Sequence, residues 1–149
     1  MFILNEGKAQ SQKFDSLLLV LKTSKEDTNK VISLFAIARL SSAKGDYEKA
    51  RAFVTEAKIL SGKLNWKKGL GNAENKLGNI DLQLVNYSGA LSHFLSSLKI
   101  KEEQKEKKGI ASVLGNIGIV YYERADFPKA LEYYFKVLRL AEEDRKKVN

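Results

Sequence analysis

The chain has 149 residues, 44% of them hydrophobic, and 26 basic against 18 acidic side chains give a formal charge of +8; that is enough chain for about one domain with a real core. Cysteine is absent and His93 is the single histidine, which excludes disulfides, thiolate metal sites, cysteine nucleophiles and His-rich metal centres. There is one proline, Pro128, in a sequence rich in Leu, Ala, Lys and Glu, so the expectation is mostly helix. No stretch reaches the ~18 consecutive apolar residues of a membrane span.

At the start, Met1-Phe2-Ile3-Leu4 followed by Asn5-Glu6-Gly7-Lys8-Ala9 resembles the tail of a secretory signal. The basic leader and the ~7–15 apolar residues of a working signal are missing. Residues 1–9 are therefore read as an extension or a signal remnant. A remnant would place the chain in the periplasm; a simple extension leaves it in the cytoplasm. Next, Phe14, Leu17, Leu18 and Leu21 form one apolar face of a helix over residues 10–23. Lys25-Glu26-Asp27-Thr28 reads as a turn, with Asp27 or Thr28 capping the next helix.

From there the chain repeats itself. Asp46-Tyr47 with Ala50, Asn86-Tyr87 with Ala90, and Asp126-Phe127 with Ala130 recur at intervals of 40. Lys67-Lys68-Gly69 returns as Lys107-Lys108-Gly109, Gly78 as Gly118, and Glu102-Glu103 as Glu142-Glu143. A period of this length marks stacked units, here about 28–63, 67–104 and 107–145, with 10–23 as the second helix of an incomplete unit before them. Each unit reads as two helices. In the last, Ile110, Val113, Leu114, Ile117 and Tyr121 share a face, a turn comes at Arg124-Ala125, and Asp126 caps the next helix with Pro128 in its first turn. That helix carries Ala130, Leu131, Tyr134, Val137, Leu138 and Ala141 as one apolar stripe. Gly78 and Gly118 sit inside helices at the same phase as Ala38. Glycine there costs roughly 1 kcal/mol relative to alanine, so they are read as points where paired helices touch.

A small residue on the first helix, an aromatic three further on, an Asp-aromatic turn, an Ala three later and an aromatic four beyond that resembles the tetratricopeptide repeat. Gly118, Tyr121, Asp126, Phe127, Ala130 and Tyr134 match it well. Gly78, Tyr87, Ala90 and Phe94 match with Asp81 in the aromatic slot, and Gly45, Asp46, Tyr47 and Ala50 form a weaker copy. The period is longer than the family's common 34 residues. The resemblance implies an all-α fold of about seven helices, antiparallel pairs stacked into a right-handed superhelix, and a protein- or peptide-binding role. The unit starts and the stretch Lys25 to Val31 are similar to repeat domains at the sensory ends of bacterial signalling proteins. That similarity implies signal transduction or scaffolding, with a membrane helix and an output domain downstream.

In the family the first helix of each unit lines the binding groove. Leu70, Ala73, Leu77, Ile80 and Leu84 form the core side of the second unit's first helix, and Asn72, Asn75, Asn79 and Gln83, with Lys76 beside them, form the other. Asparagine is a mediocre helix former, and an amide can both donate to and accept from an extended peptide backbone. Solvated polar residues on an outer face are the plainer reading of the same pattern. Phe35 and Arg39 on one side, and Asn116, Ile119 and Tyr122 on the other, complete the expected groove. The family's two-lysine clamp for acidic C-termini is not matched, since Phe35, Arg39, Ser112 and Asn116 stand in its slots.

Other features point away from chemistry. Trp66 is read as a packing residue in the turn between units, and His93 as a surface or half-buried polar residue. Gly69 and Gly71 have no Lys-Ser/Thr pair after them, so they form no phosphate loop. No catalytic, cofactor or metal site is expected. The charge alone motivates an alternative as a nucleic-acid-binding repeat protein, but 99–108 mixes lysines with Glu102, Glu103 and Glu106, and no aromatic-arginine platform is present. Nucleic acid is the weaker reading. A self-associating scaffold is the other alternative: the last helix has no visible cap, so either more sequence belongs downstream or this end packs against another copy.

Overall fold

The computed structural model describes the backbone of residues 2–148 and the side chains of residues 7–147 except Gln10. Among these residues there are seven α-helices and no strand: α1 Phe2–Thr23, α2 Thr28–Ala43, α3 Tyr47–Lys63, α4 Lys67–Gln83, α5 Tyr87–Glu103, α6 Lys107–Glu123 and α7 Phe127–Val148. The all-α expectation holds. Among the described residues, no helix is long and apolar enough to cross a membrane. The helix predicted over 10–23 starts at Phe2 instead, since the stretch before it holds no proline and only Asn5 and Gly7 disfavour helix there. The apolar side chains on which the signal-remnant reading rests, Met1 to Leu4, lie outside the described residues.

One turn design joins the helices. Gly45, Asn65, Val85, Lys105 and Ala125 adopt positive φ, at twenty-residue intervals. In each case the next N–H reaches back to the carbonyl five residues earlier: Asp46 to Ser41, Trp66 to Ser61, Asn86 to Asp81, Glu106 to Lys101 and Asp126 to Tyr121, at 2.8–3.0 Å. The positive-φ residue's own N–H bonds the carbonyl three back. This is the double hydrogen bond that satisfies the orphan carbonyls of a helix end. The following residue then opens the next helix. Asp46 accepts from the Lys49 N–H, Asn86 from Gly89 and Asp126 from Lys129, while Asp27 accepts from both Asn29 and Lys30 ahead of α2.

The chain divides into two compact units, residues 1–69 and 70–149. In the first, Phe14 of α1 packs with Ile37 and Leu40 of α2, supported by Leu17, Leu18, Leu21 and Phe53. The ammonium groups of Lys44 and Lys49 lie 5.2 and 4.7 Å from the Phe14 ring centre. At its end, Gly69 lies so close to Ser61 and Trp66 that an added Cβ would sit 2.4 Å from each, which gives Trp66 the packing place expected for it.

In the second unit, Ala90 and Phe94 of α5 meet Val113, Ile117 and Val120 of α6. Gly78 and Gly118 are contact points, as their phase suggested. A Cβ at Gly78 would sit 2.6 Å from the Phe94 ring, and one at Gly118 2.5 Å from the Tyr134 ring. The stripe expected on α7 divides. Ala130 is buried and Val137 half-buried, but Leu131 and Leu138 stay more than half exposed; Tyr133, outside that stripe, stacks on Tyr121 at 5.6 Å. Leu84, expected in the core stripe of α4, is also exposed, because α4 ends at Gln83 and Leu84 belongs to the turn.

Candidate functional site

The second unit brings α4 and α6 side by side through their amides. Asn116 Nδ2 donates to Asn75 Oδ1 at 3.0 Å, and both side chains are half-buried. The bond takes one donor and one acceptor from the pair, and an amide offers two hydrogens and two lone pairs. Further along α6, Ile119 and Tyr122 are exposed, and Tyr122 meets Phe127 edge-on at 5.5 Å. Asn79 and Gln83 are exposed on α4, and Lys76 is half-buried there.

Gly115, next to Asn116, differs from the packing glycines. A Cβ built on it has nothing within 4 Å. A glycine inside a helix with no packing partner leaves backbone uncovered, at a cost of roughly 1 kcal/mol. The result is open space over the α6 backbone at Gly115 alone, beside an amide pair and on the side of Ile119 and Tyr122.

The remaining residues expected at the groove are placed differently. Asn72 is half-buried, and its Oδ1 accepts from Lys101 Nζ at 2.8 Å. Phe35 and Arg39 belong to α2 in the first unit, where Phe35 is buried among the core side chains and Arg39 is exposed.

Sequence reasoning missed two polar clusters in the second unit. His93 Nδ1 lies 2.7 Å from Glu74 Oε2 and its Nε2 3.6 Å from Asp81 Oδ2. Both acids are buried on α4, so the α5 imidazole bridges two carboxylates one helical stretch apart. Asp81 also accepts from Asn86 Nδ2 at 3.3 Å. Lys101 is the second case: it is 3% exposed, and its ammonium donates to Asn72 and to Glu106, the latter at 3.1 Å. A lysine this buried needs such partners. The available signal was spacing, since Glu74 and Asp81 are seven apart and therefore share a helix face. Among the described residues, no three His, Asp or Glu side chains are placed to hold a metal.

The profile of the tetratricopeptide repeat matches residues 69–143, just over half of the 149 residues. The sequence has no match among curated proteins. Among solved structures, the chain is similar to BtubC (BKLC) from P. vanneervenii, with a TM-score of 0.83 and 18% identity over 93% of this chain and 59% of that one. It is equally similar to the apo form of RapI, at 0.83 and 19% identity over 98% of this chain and 54% of that one. The TPR domain of Arabidopsis FLU follows at 0.71 and 23% identity, over 78% of this chain and 98% of that domain. The chain thus spans little more than half the length of the first two. These likenesses carry the fold, and the profile match over the second unit carries the family: the chain belongs to the tetratricopeptide repeat proteins.

Proposed function

We propose that the α4–α6 face of the second unit binds an extended segment of a partner protein. The observation that supports this most is the Asn75–Asn116 amide pair beside the uncovered backbone at Gly115. A peptide main chain laid there meets donors and acceptors in pairs, as main-chain recognition requires. Ile119 and Tyr122 supply apolar surface for alternate side chains. The repeat family is in general a non-catalytic interaction module, and no residue of this face is given a catalytic role.

The test is a peptide selection against the full chain, followed by titration of the selected sequences. Asn75→Ala and Asn116→Ala should each weaken binding about 5- to 10-fold, the effect of one lost hydrogen bond of about 1–1.5 kcal/mol, with helicity by circular dichroism unchanged. Unaltered affinity in both variants removes the assignment.

A place in bacterial signalling is the finer reading, supported by the similarity of the unit starts to sensory repeat domains. Sequencing the gene beyond both ends of this frame decides it. An in-frame membrane helix with an output domain supports a sensory input module, and stop codons on both sides rule that out.

A further inference from the structure

Two amides of α4 have their oxygens engaged within the protein. Lys101, buried on α5, donates to Asn72 Oδ1 at 2.8 Å. An ammonium offers hydrogens and no lone pair, so it fixes which way round the Asn72 amide stands. Three residues on, Asn75 Oδ1 accepts from Asn116 Nδ2 at 3.0 Å. Asn72 and Asn75 share a face of α4, their Cβ atoms about 5–6 Å apart, and both are half-buried. Each still holds an NH2 group, and those N–H donors have no partner among the described residues. The Lys101 charge also draws electrons from the Asn72 carbonyl, which makes its N–H groups stronger donors.

The acids nearby face elsewhere. Glu74 and Asp81, the two acids of α4, are buried against His93 of α5, and Glu106 is held by Lys101. Glu123, the one acid of α6, lies beyond Asn116 by about 10 Å along the helix. Lys108, Ser112 and Asn116 follow one another at spacings of four on α6. Lys108 and Ser112 are exposed, which puts a cation on the Asn116 face. All of these contacts lie among α4, α5 and α6. They leave a patch rich in N–H donors, with the acids of α4 held away from it.

Resting on the α4–α6 face as a peptide site, we propose that the bound segment sets an aspartate or glutamate side chain against the Asn72 and Asn75 NH2 groups. A carboxylate carries acceptors alone, on two oxygens, so it takes a hydrogen from each amide and brings no competing donor. Such charge-assisted bonds are shorter and roughly twice as strong as those between neutral groups. A glutamine in its place brings an NH2 group of its own, and a lysine brings donors only. Asn116, with its oxygen and a second N–H remaining, serves the main chain alongside. The carboxylate belongs to a side chain inside the segment, and Asn72 and Asn75 lie outside the clamp slots at Ser112 and Asn116.

Peptides selected against the full chain are resynthesised with an acetylated start and an amidated end, so that side chains carry their only carboxylates. The selected set should share an Asp or Glu at one position. Changing that residue to Asn or Gln should weaken binding about 10-fold, read by fluorescence anisotropy at about 0.15 M salt. Asn72→Asp keeps a partner for Lys101 and replaces the NH2 group by an acceptor. The acid peptide should then bind no better than its amide form, with an unchanged helical spectrum. Lys108→Gln should lower the affinity of the acid peptide by no more than about 3-fold, since a rim charge steers rather than selects. Equal affinity for the acid and amide peptides, with both weakened by Asn116→Ala, overturns the carboxylate and leaves the peptide face standing. Affinity indifferent to Asn75→Ala and Asn116→Ala removes the face and the carboxylate with it. An acid preference that survives Asn72→Asp, or that vanishes in Lys108→Gln, overturns the proposal, because lysine charge then makes the selection. So does a phosphoserine peptide that binds more than about 10-fold tighter than the glutamate one, which assigns the donors to phosphate.

Discussion

At single positions, the turns and glycines give opposite predictions from similar chemistry. Val85 holds φ at 61°, where a β-branched side chain crowds the backbone at a cost of about 1–2 kcal/mol. Of the five turn positions, Gly45 is free of that penalty and Asn65 bears less of it, since asparagine tolerates the left-handed region. Val85→Gly should stabilise the chain by about 0.5–1 kcal/mol after the entropy glycine adds to the unfolded state, raising the melting temperature by about 1–4 °C. No rise in Tm would mean that Val85 contributes more than its exposure suggests. The helix glycines separate by what their missing Cβ would meet. At Gly78 it would meet Phe94, which is fully buried and has nowhere to move. Gly78→Ala should therefore cost about 1–2 kcal/mol, overpacking outweighing the gain in helix propensity. At Gly118 the obstacle is Tyr134, which is 38% exposed and can swing outward, so Gly118→Ala should stay within about 0.5 kcal/mol of the parent. At Gly115 there is no obstacle, and Gly115→Ala should gain up to about 1 kcal/mol while weakening any peptide laid over that backbone. Urea midpoints of the three variants check the order.

Between elements, the second unit uses polar side chains as cross-links. Lys101 on α5 joins Asn72 of α4 to Glu106 at the entry to α6, where Glu106 gives no side-chain cap of its own. Glu106→Ala leaves a buried ammonium with Asn72 as its one remaining partner in this cluster and should cost about 1–3 kcal/mol. Lys101→Met removes the charge with the stem retained and should cost less. If the two variants unfold at the same urea concentration, the ion pair is not what holds this corner. At the start of α6, Lys107 pairs with Asp144 of α7, and that hydrogen bond raises its pKa from the ordinary lysine value. Both groups are open to solvent, so this link adds little to stability. Helix identity and turn position were legible because the 40-residue register repeats both apolar phase and the Asp/Asn caps at 46, 86 and 126. The positive-φ positions were not, since Val, Lys and Ala stand where glycine would signal them.

For the molecule as a whole, net charge is a poor guide to partners. The +8 is spread among lysines of which several are already paired: Lys101 with Glu106, Lys107 with Asp144, Lys129 with Asp126 and Lys136 with Glu132. A phosphate-binding surface needs lysines or arginines gathered on one face. Fluorescence anisotropy with a labelled oligonucleotide at low salt should therefore show no binding. A steep salt-dependent affinity would restore the nucleic-acid reading.

The sequence by itself determined the repeat, the helix pairs and the family, because those depend on periodicity and local capping, which are written along the chain. It also marked Asn75 and Asn116 as candidates, though as members of a longer polar face. Which amides meet was decided by tertiary structure. Asn75 finds Asn116 across 41 positions, while Asn72, three residues earlier on the same helix, is drawn off by Lys101. A pattern assigns a residue to a face, and only packing decides whether a neighbour's charged group reaches it first. The same holds for α7. Its apolar stripe was plain in the sequence, but only the seating of α6 decided that Ala130 is covered while Leu131 and Leu138 stay open.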